Sequence, residues 1–446
     1  MNDTILNKFS SHGISQSGKY KLENETRDEF YTNYPLYKYW NRENNDKVIE
    51  IPGINIYIHI PFCIQICDFC FYMKELIKSK DQVDTYVNSL CEEIKIVSEN
   101  FGLGNRNVES IYIGGGTPSV LTESQLKKII ETLNKYHKIA DSEFTFEAEP
   151  GTFTATKLNW YKDCGVNRIS MGVQSFNDEI IKLSSRKHTK LQAINSIKLV
   201  QDYQSFNLNI DLLSGLAGEN MRTWNETIEL ALNLDIDMLT IYKMKTYSNT
   251  LFFKQGVYKN EIDLPDKEEE VGFMSKAIEL IKGSDYKMWS TFAFTKDNYL
   301  HKYIENTWRG KDLLAYGCSS FGHIHDCNYQ NINEIQSYNQ AVLSNKIPIN
   351  RSFKLTIKDK IIKELLLCSS RLYSYSKSEF INKFGFDYFD LIPEVMVSLV
   401  ETGFIENQLD ELVLTDKGIL YADFIGQTIA SEVKSKIGYD KIGFNY

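Results

Sequence analysis

Tyr57-Ile58-His59-Ile60-Pro61-Phe62-Cys63-Ile64-Gln65-Ile66-Cys67-Asp68-Phe69-Cys70 is the stretch that decides how this chain is read. Ile56, Ile58 and Ile60 alternate with Tyr57 and His59, the period of a strand with one apolar face. Pro61 ends the alternation, and three cysteines follow at CxxxCxxC spacing. Such a spacing can stripe one side of a helix, but Pro61 and the β-branched run before it argue against a helix through all three. Four thiolates complete an iron–sulfur cube, whereas three leave one iron open to a further ligand. A zinc site with His59 as fourth donor is the rival. It fits less well, because zinc cysteines usually come as tight CxxC pairs and His59 belongs to the strand. Cys63, Cys67 and Cys70 are therefore expected to hold a [4Fe-4S] cluster with one open iron.

At 446 residues, the chain is long enough for two or three domains. Its 42% hydrophobic and 24% charged content is that of a globular protein with a real core. A formal charge of −9 argues against non-specific nucleic-acid binding, which runs on clustered Lys and Arg. The basic run Lys74 to Lys80 reads as a solvated face. No apolar run reaches the ~18 residues of a membrane span, and the polar N-terminus lacks signal-peptide character. A cytoplasmic location is expected, with no membrane span. The remaining cysteines do not form a disulfide framework. Cys91, Cys164 and Cys368 read as buried packing residues. An exposed cluster implies a reducing, anaerobic cell.

The first 50 residues are polar and aromatic, with Tyr31, Tyr34, Pro35, Tyr39 and Trp40 as docking points, and read as an irregular N-terminal extension. From residue 51 to about 300 short β-branched runs alternate with amphipathic stretches, the signature of repeated βα units and a parallel sheet. Strands are predicted near 55–60, 108–113, 143–148, 167–173, 207–213 and 237–243, with another at 286–290. Helices are predicted at 82–100, 122–136, 177–184, 190–203 and 221–233. Six such units make an α/β fold, a partial (β/α)6 barrel smaller than the full eight-unit one. Residues 301–354 read as a connecting segment. Residues 355–446 read as a small winged-helix-like α+β domain, with helices at 356–369, 377–384, 388–402 and 416–434 and a two-stranded wing. It lacks a basic recognition helix, so a lid or packing role is expected.

Strand parity places polar groups inside the barrel. The apolar positions Ile58, Phe146, Met171, Ile210 and Ile241 pack outward. They leave Tyr57 and His59, Thr145, Glu147 and Glu149, Arg168, Ser170 and Gln174, Asn209 and Asp211, and Thr240 and Tyr242 on the other face. A closed apolar core would carry Val, Ile and Leu there; this face reads as a polar ligand site. Gly114-Gly115-Gly116-Thr117-Pro118 follows a strand, where missing Cβ atoms let backbone approach a ligand.

Together these segments resemble the radical S-adenosylmethionine (SAM) superfamily, and within it the oxygen-independent coproporphyrinogen III oxidase family with its haem-chaperone and methylase relatives. The resemblance runs from about Tyr31 to the C-terminus. It rests on Tyr57 to Cys63, Ile113 to Ser119, Glu147 to Gly151, Gly165 to Asn177 and Asn209 to Leu216. It implies that the open iron chelates SAM, with Tyr57, Phe69, Gly115, Glu147, Gln174, Arg186 and Asp211 as contacts to that first SAM. Gly116, Thr117, Lys245 and Phe321 fall at the positions of a second SAM, although Lys245 stands where a small residue is expected. No residue outside this set declares itself a catalytic acid or base.

The resemblance implies a radical SAM oxidoreductase. SAM is cleaved reductively to a 5′-deoxyadenosyl radical that acts on a tetrapyrrole or related small molecule, with the electron supplied by a flavodoxin or ferredoxin. Two alternatives stay open. One is a haem chaperone that delivers haem to a partner, with His323 and His325 as axial ligands. The other is a class C methylase or an anaerobic haem-degrading enzyme using two SAM molecules. Tyr31 to Pro35 and Tyr316 to Asn331 resemble the oxidase. Asn306 to Asp312 is closer to the chaperone and methylase, and Tyr72 stands where the oxidase carries a further cysteine. Arg309, Lys311 and Lys245 are candidate partners for substrate carboxylates.

Overall fold

The computed structural model describes residues 53–100, 106–296 and 299–438. The expected N-terminal extension and its aromatic residues lie outside these. Six parallel strands form in sequence order: β1 (Ile54–Ile60), β2 (Arg106–Gly115), β3 (Glu143–Ala148), β4 (Arg168–Gln174), β5 (Asn207–Ser214) and β6 (Met238–Lys243). Each pairs with the next, so the sheet curves without closing. The predicted alternation holds, with Ile58, Phe146, Met171, Ile210 and Ile241 fully buried under the helices.

Local chemistry fixes the helix starts. Thr122 and Gln125 form a capping box before helix Glu123–Tyr136, and Thr189 and Gln192 form another before Lys190–Asp202. Each box satisfies two amide donors that a helix leaves open. Helices Ala155–Asp163, which ends at Cys164, and Lys267–Lys282 complete the set around the sheet. The run expected at 286–290 is a two-residue strand, Lys287–Met288, which pairs antiparallel with Ala293–Thr295 at the edge beside β6.

The expected connecting segment is instead part of the sheet. Leu313–Tyr316 pairs parallel with β1, and Phe321–Ile324, Cys327–Asn331 and Ile349–Lys354 continue it antiparallel. The C-terminal unit is helical with a small sheet, as expected. However, Ser374–Ser376 joins Ile405–Asn407 and Glu411–Leu414 to make three strands rather than two. Pro393 divides the helix expected at 388–402 into Tyr388–Leu391 and Pro393–Glu401. This unit is packed on the barrel: Lys243 Nζ donates to Leu420 O at 2.7 Å, and Tyr373 N donates to Trp289 O at 3.1 Å. No described helix is long and apolar enough to cross a membrane.

Candidate functional site

The cysteine loop leaves β1 and is pinned from three sides. Phe62–Cys63 pairs with Glu75–Leu76, Asp68 N donates to Ser184 O at 3.3 Å, and Asp68 O accepts from Phe252 N at 3.1 Å. Phe69 packs edge-on to Phe252, with ring centroids 6.3 Å apart, so its side chain anchors the loop. Cys63 is buried, and Cys67 and Cys70 are half-buried, all three as free thiols. Burial pushes the Cys63 thiol up to about 11 and raises Cys67, against the pull of Arg186. Burial thus favours the protonated thiol at Cys63 and Cys67 in the metal-free protein.

Among the described residues, no three His, Cys, Asp or Glu groups close on a single ion. His59, the fourth donor of the zinc alternative, is committed elsewhere. Its Nε2 meets Met73 O at 3.1 Å and its Nδ1 meets Tyr57 Oη at 2.9 Å. The three thiols thus fit the cluster expected of them.

The glycine turn packs against that loop. A Cβ on Gly115, at φ +117°, would meet the His59 ring at 2.5 Å, and one on Gly116 would meet Phe62 O at 2.7 Å. Its amides are spent internally: Gly115 N donates to Glu147 Oε2 at 3.0 Å, Gly116 N to Ile60 O and Thr117 N to Phe62 O, each at 2.8 Å. Backbone offered to a ligand by this turn, expected from the sequence as close approach, is thus not these three N–H groups. What it can offer a ligand is carbonyl oxygen, which suits an ammonium donor.

Glu147 is held by Tyr112, whose hydroxyl donates to Oε1 at 2.7 Å, and by the Gly115 amide. Burial, together with the nearby Asp211 charge, keeps its carboxyl up at about 7. Asp211 is also raised by burial, and accepts from Ser170 Oγ at 3.2 Å and Asn209 Nδ2 at 2.9 Å. Gln174 ends β4 at φ +68°, a region costly for a non-glycine residue, and the pairing register slips beside it. A Cβ on Gly172 would meet Gln174 Nε2 at 3.0 Å and Arg186 Nη2 at 3.8 Å, so both side chains fold over this glycine.

Arg186 ties the parts together. Nη1 donates to Cys67 Sγ at 3.5 Å and Nη2 to Gly172 O at 2.7 Å, while Nη2 pairs with Glu149 Oε1 at 3.2 Å. Gln65, from the cysteine loop, also donates to Glu149. Tyr57, Gly115, Glu147, Gln174, Arg186 and Asp211 are thus gathered around one lumen mouth.

Lys245 is placed differently: its Nζ pairs with Asp423 of the C-terminal helix at 3.1 Å. Phe321 opens the second strand outward from β1. Of the candidate carboxylate partners, Arg309 pairs with Glu305 and Glu379, and Lys311 with Glu109. His323 Nδ1 meets Asn328 Oδ1 at 2.8 Å in the outer hairpin, at the level of Leu313 and Asn55, the end of β1 away from the cysteines.

Sequence reasoning missed several lumen residues. Tyr112 lies beside Tyr57 in register and could have been found by extending the parity rule to β2. Tyr303 packs on Tyr112 at a tilt of 31° with centroids 4.7 Å apart, and His301 meets Thr145 Oγ1 at 3.3 Å. Both come from a segment with no strand period. Glu149 carried the right parity, but nothing local marked it as the partner of Arg186.

A model of the radical SAM superfamily matches residues 57–231. The chain is 29% identical over 378 residues to the heme chaperone HemW of Bacillus subtilis, covering 83% of this chain and 99% of that one. It is 30% identical over 278 residues to HemW of Escherichia coli, covering 62% and 72%. The fold superposes on coproporphyrinogen III oxidase (HemN) of Escherichia coli with a TM-score of 0.77 at 23% identity, over 90% of this chain and 97% of that one. Members of the superfamily bind a [4Fe-4S] cluster and SAM. With three thiols set for such a cluster beside a polar lumen, the chain belongs to the radical SAM superfamily, in the branch that holds the haem chaperones and oxygen-independent coproporphyrinogen III oxidase.

Proposed function

We propose that this protein is a radical SAM enzyme acting on a tetrapyrrole or related carboxylate-bearing small molecule, with an electron from a flavodoxin- or ferredoxin-class carrier. When bound, the cluster and SAM supply an electron, a C5′–S cleavage and a 5′-deoxyadenosyl radical that abstracts hydrogen. The chain supplies position. Arg186, at the cysteine loop, is read as the cation that would take the SAM carboxylate, and Glu147 and Asp211 as the groups that would bind its ribose and ammonium.

The observation that carries this reading is the continuity of the site. Asp211, one of the two carboxylates, lines a small cavity inside the sheet with Tyr112, Tyr242, Trp289 and Phe292, and Tyr112 also holds the other, Glu147. A substrate group held there would lie beside the carboxylates proposed for SAM.

A second reading, haem chaperone, is favoured by the relatives of that name. Against it, both expected axial ligands lie in the outer hairpin at the end of the sheet away from the cysteines: His323 Nδ1 is hydrogen-bonded to Asn328, and His325, whose Nε2 has no partner among the described residues, donates its amide to Asp312. Anaerobically reconstituted protein given SAM, dithionite and porphyrin substrates separates the two. The enzyme reading expects 5′-deoxyadenosine with a decarboxylated or otherwise altered tetrapyrrole, and a product heavier by a methyl group selects the methylase. Stoichiometric haem binding with neither product overturns it in favour of the chaperone.

A further inference from the structure

Below the SAM-side residues the lumen continues to a floor that no role above uses. Arg168 opens β4 there and is 1% exposed. Gly172, where Arg186 is bonded, lies four residues further on, about 13 Å away at the rise of a strand. Arg168 has weak partners only. Nη1 donates to Thr145 Oγ1 at 3.4 Å and Nη2 to the Met238 thioether at 3.2 Å, while Nε finds no acceptor. Among the described residues no carboxylate lies within ion-pair distance of it. Glu147 and Asp211 offset its charge only at longer range.

The same cavity holds a second donor without an acceptor, Trp289 Nε1. Its acceptors are already engaged, since Asp211 takes Ser170 and Asn209, and Asn209 Oδ1 takes Thr240 Oγ1 at 2.8 Å. His301, on the wall, is kept neutral by burial, so Arg168 is the permanent cation of the lining. An unpaired buried guanidinium is costly, and a planar carboxylate answers it with two charge-assisted hydrogen bonds. Aromatic faces from Trp289, Phe292, Tyr112 and Tyr242 flank the position.

We propose that Arg168 and Trp289 form an anion subsite at the lumen floor that takes a carboxylate of the substrate, holding the rest of the molecule up toward the cysteine loop. The tetrapyrrole identity rests on the function proposed above; the subsite itself does not.

The test uses reconstituted full-length protein, with Arg168→Gln and Arg168→Lys. A four-carboxylate porphyrin and its tetramethyl ester are titrated by fluorescence quenching, and propionate is tested for thermal protection. Wild type is expected to bind the acid at least about tenfold more tightly than the ester. R168Q should lose that factor for the acid and keep its ester affinity, and R168K should lie between, because a lysine offers no planar fork. Propionate should raise the melting temperature of wild type and not of R168Q.

Equal acid affinity in wild type and R168Q, or equal losses for acid and ester, overturns the subsite. Displacement of the porphyrin acid by excess SAM assigns the carboxylate to SAM and also overturns it. Should R168Q not fold, R168K decides, and unchanged acid affinity there refutes the proposal. If neither porphyrin binds wild type, the tetrapyrrole reading fails and the propionate comparison alone judges the subsite, equal protection of wild type and R168K refuting it.

Discussion

Gly116→Ala puts one methyl group between the glycine turn and the cysteine loop. An ideal Cβ there sits 2.7 Å from Phe62 O and 2.9 Å from both Cys63 Sγ and Ile60 O, short of an ordinary 3.4 Å contact by 0.7 and 0.5 Å. None of the three can swing away. Two are backbone carbonyls that already accept the Thr117 and Gly116 amides at 2.8 Å, and the third is a proposed cluster ligand. Relief must stretch both hydrogen bonds or displace Cys63, at a cost of about 1–3 kcal/mol for overpacking. Because about 1.4 kcal/mol is a tenfold change in equilibrium, the cluster should be lost to a chelator about tenfold faster or more. Iron content after anaerobic reconstitution should fall to about half of wild type or less. Iron and sulfide assays, with electron paramagnetic resonance of the reduced protein, read this directly. Gly272→Ala is the control, because its Cβ would meet only Met221 Cε, at 3.4 Å, on an otherwise open helix face. Full iron loading and an unchanged chelator half-life in Gly116→Ala would refute the close-approach argument.

Glu147 binds its proton more tightly folded, at about 7, than at its ordinary value of 4.5, so it destabilises the metal-free fold as pH rises between those values. The span is about 3 kcal/mol; Glu147→Gln should gain roughly that on wild type between pH 4.5 and 8.5 in calorimetry of the apo protein, and equal pH slopes would count against it. Arg186→Gln strands the buried Glu149 carboxylate and should destabilise by about 3–5 kcal/mol. Adding Glu149→Gln should restore part of the loss, whereas additive losses would deny the coupling. Lys245→Ala should cost less than about 1 kcal/mol, since the pair with Asp423 is exposed and Asp423 keeps Arg371 at 2.6 Å. SAM stoichiometry by equilibrium dialysis should not change; a lost equivalent would return Lys245 to a cofactor role.

Much of this was legible because a sheet with one apolar face writes itself at period two. Ile54 to Ile60 and Leu208 to Leu212 show that face plainly, and the polar face follows from parity. The strands between 313 and 354 were not legible. They are short, and Leu313-Leu314-Ala315-Tyr316 is buried on both sides, so no alternation marks it. Arg186 was found only through family resemblance, because its partners, Cys67, Gly172 and Glu149, are distant in sequence. The left-handed backbone at Gln174 has no residue signature, as glutamine rarely adopts it.

The pinning of the cysteine loop bears on when the protein can be metallated. Its thiols fall within eight residues of one another and emerge together, ahead of the groups that shape them. The groups that shape them come much later: Ser184 and Arg186 from beyond β4, and Phe252 from beyond β6. A nascent chain that stops short of those residues owns the sulfur donors without their mould. Maturation should therefore run from folded barrel to loaded cofactor, the reverse of small zinc modules whose metal drives the folding, and a ribosome-stalled chain ending before residue 250 should hold iron poorly.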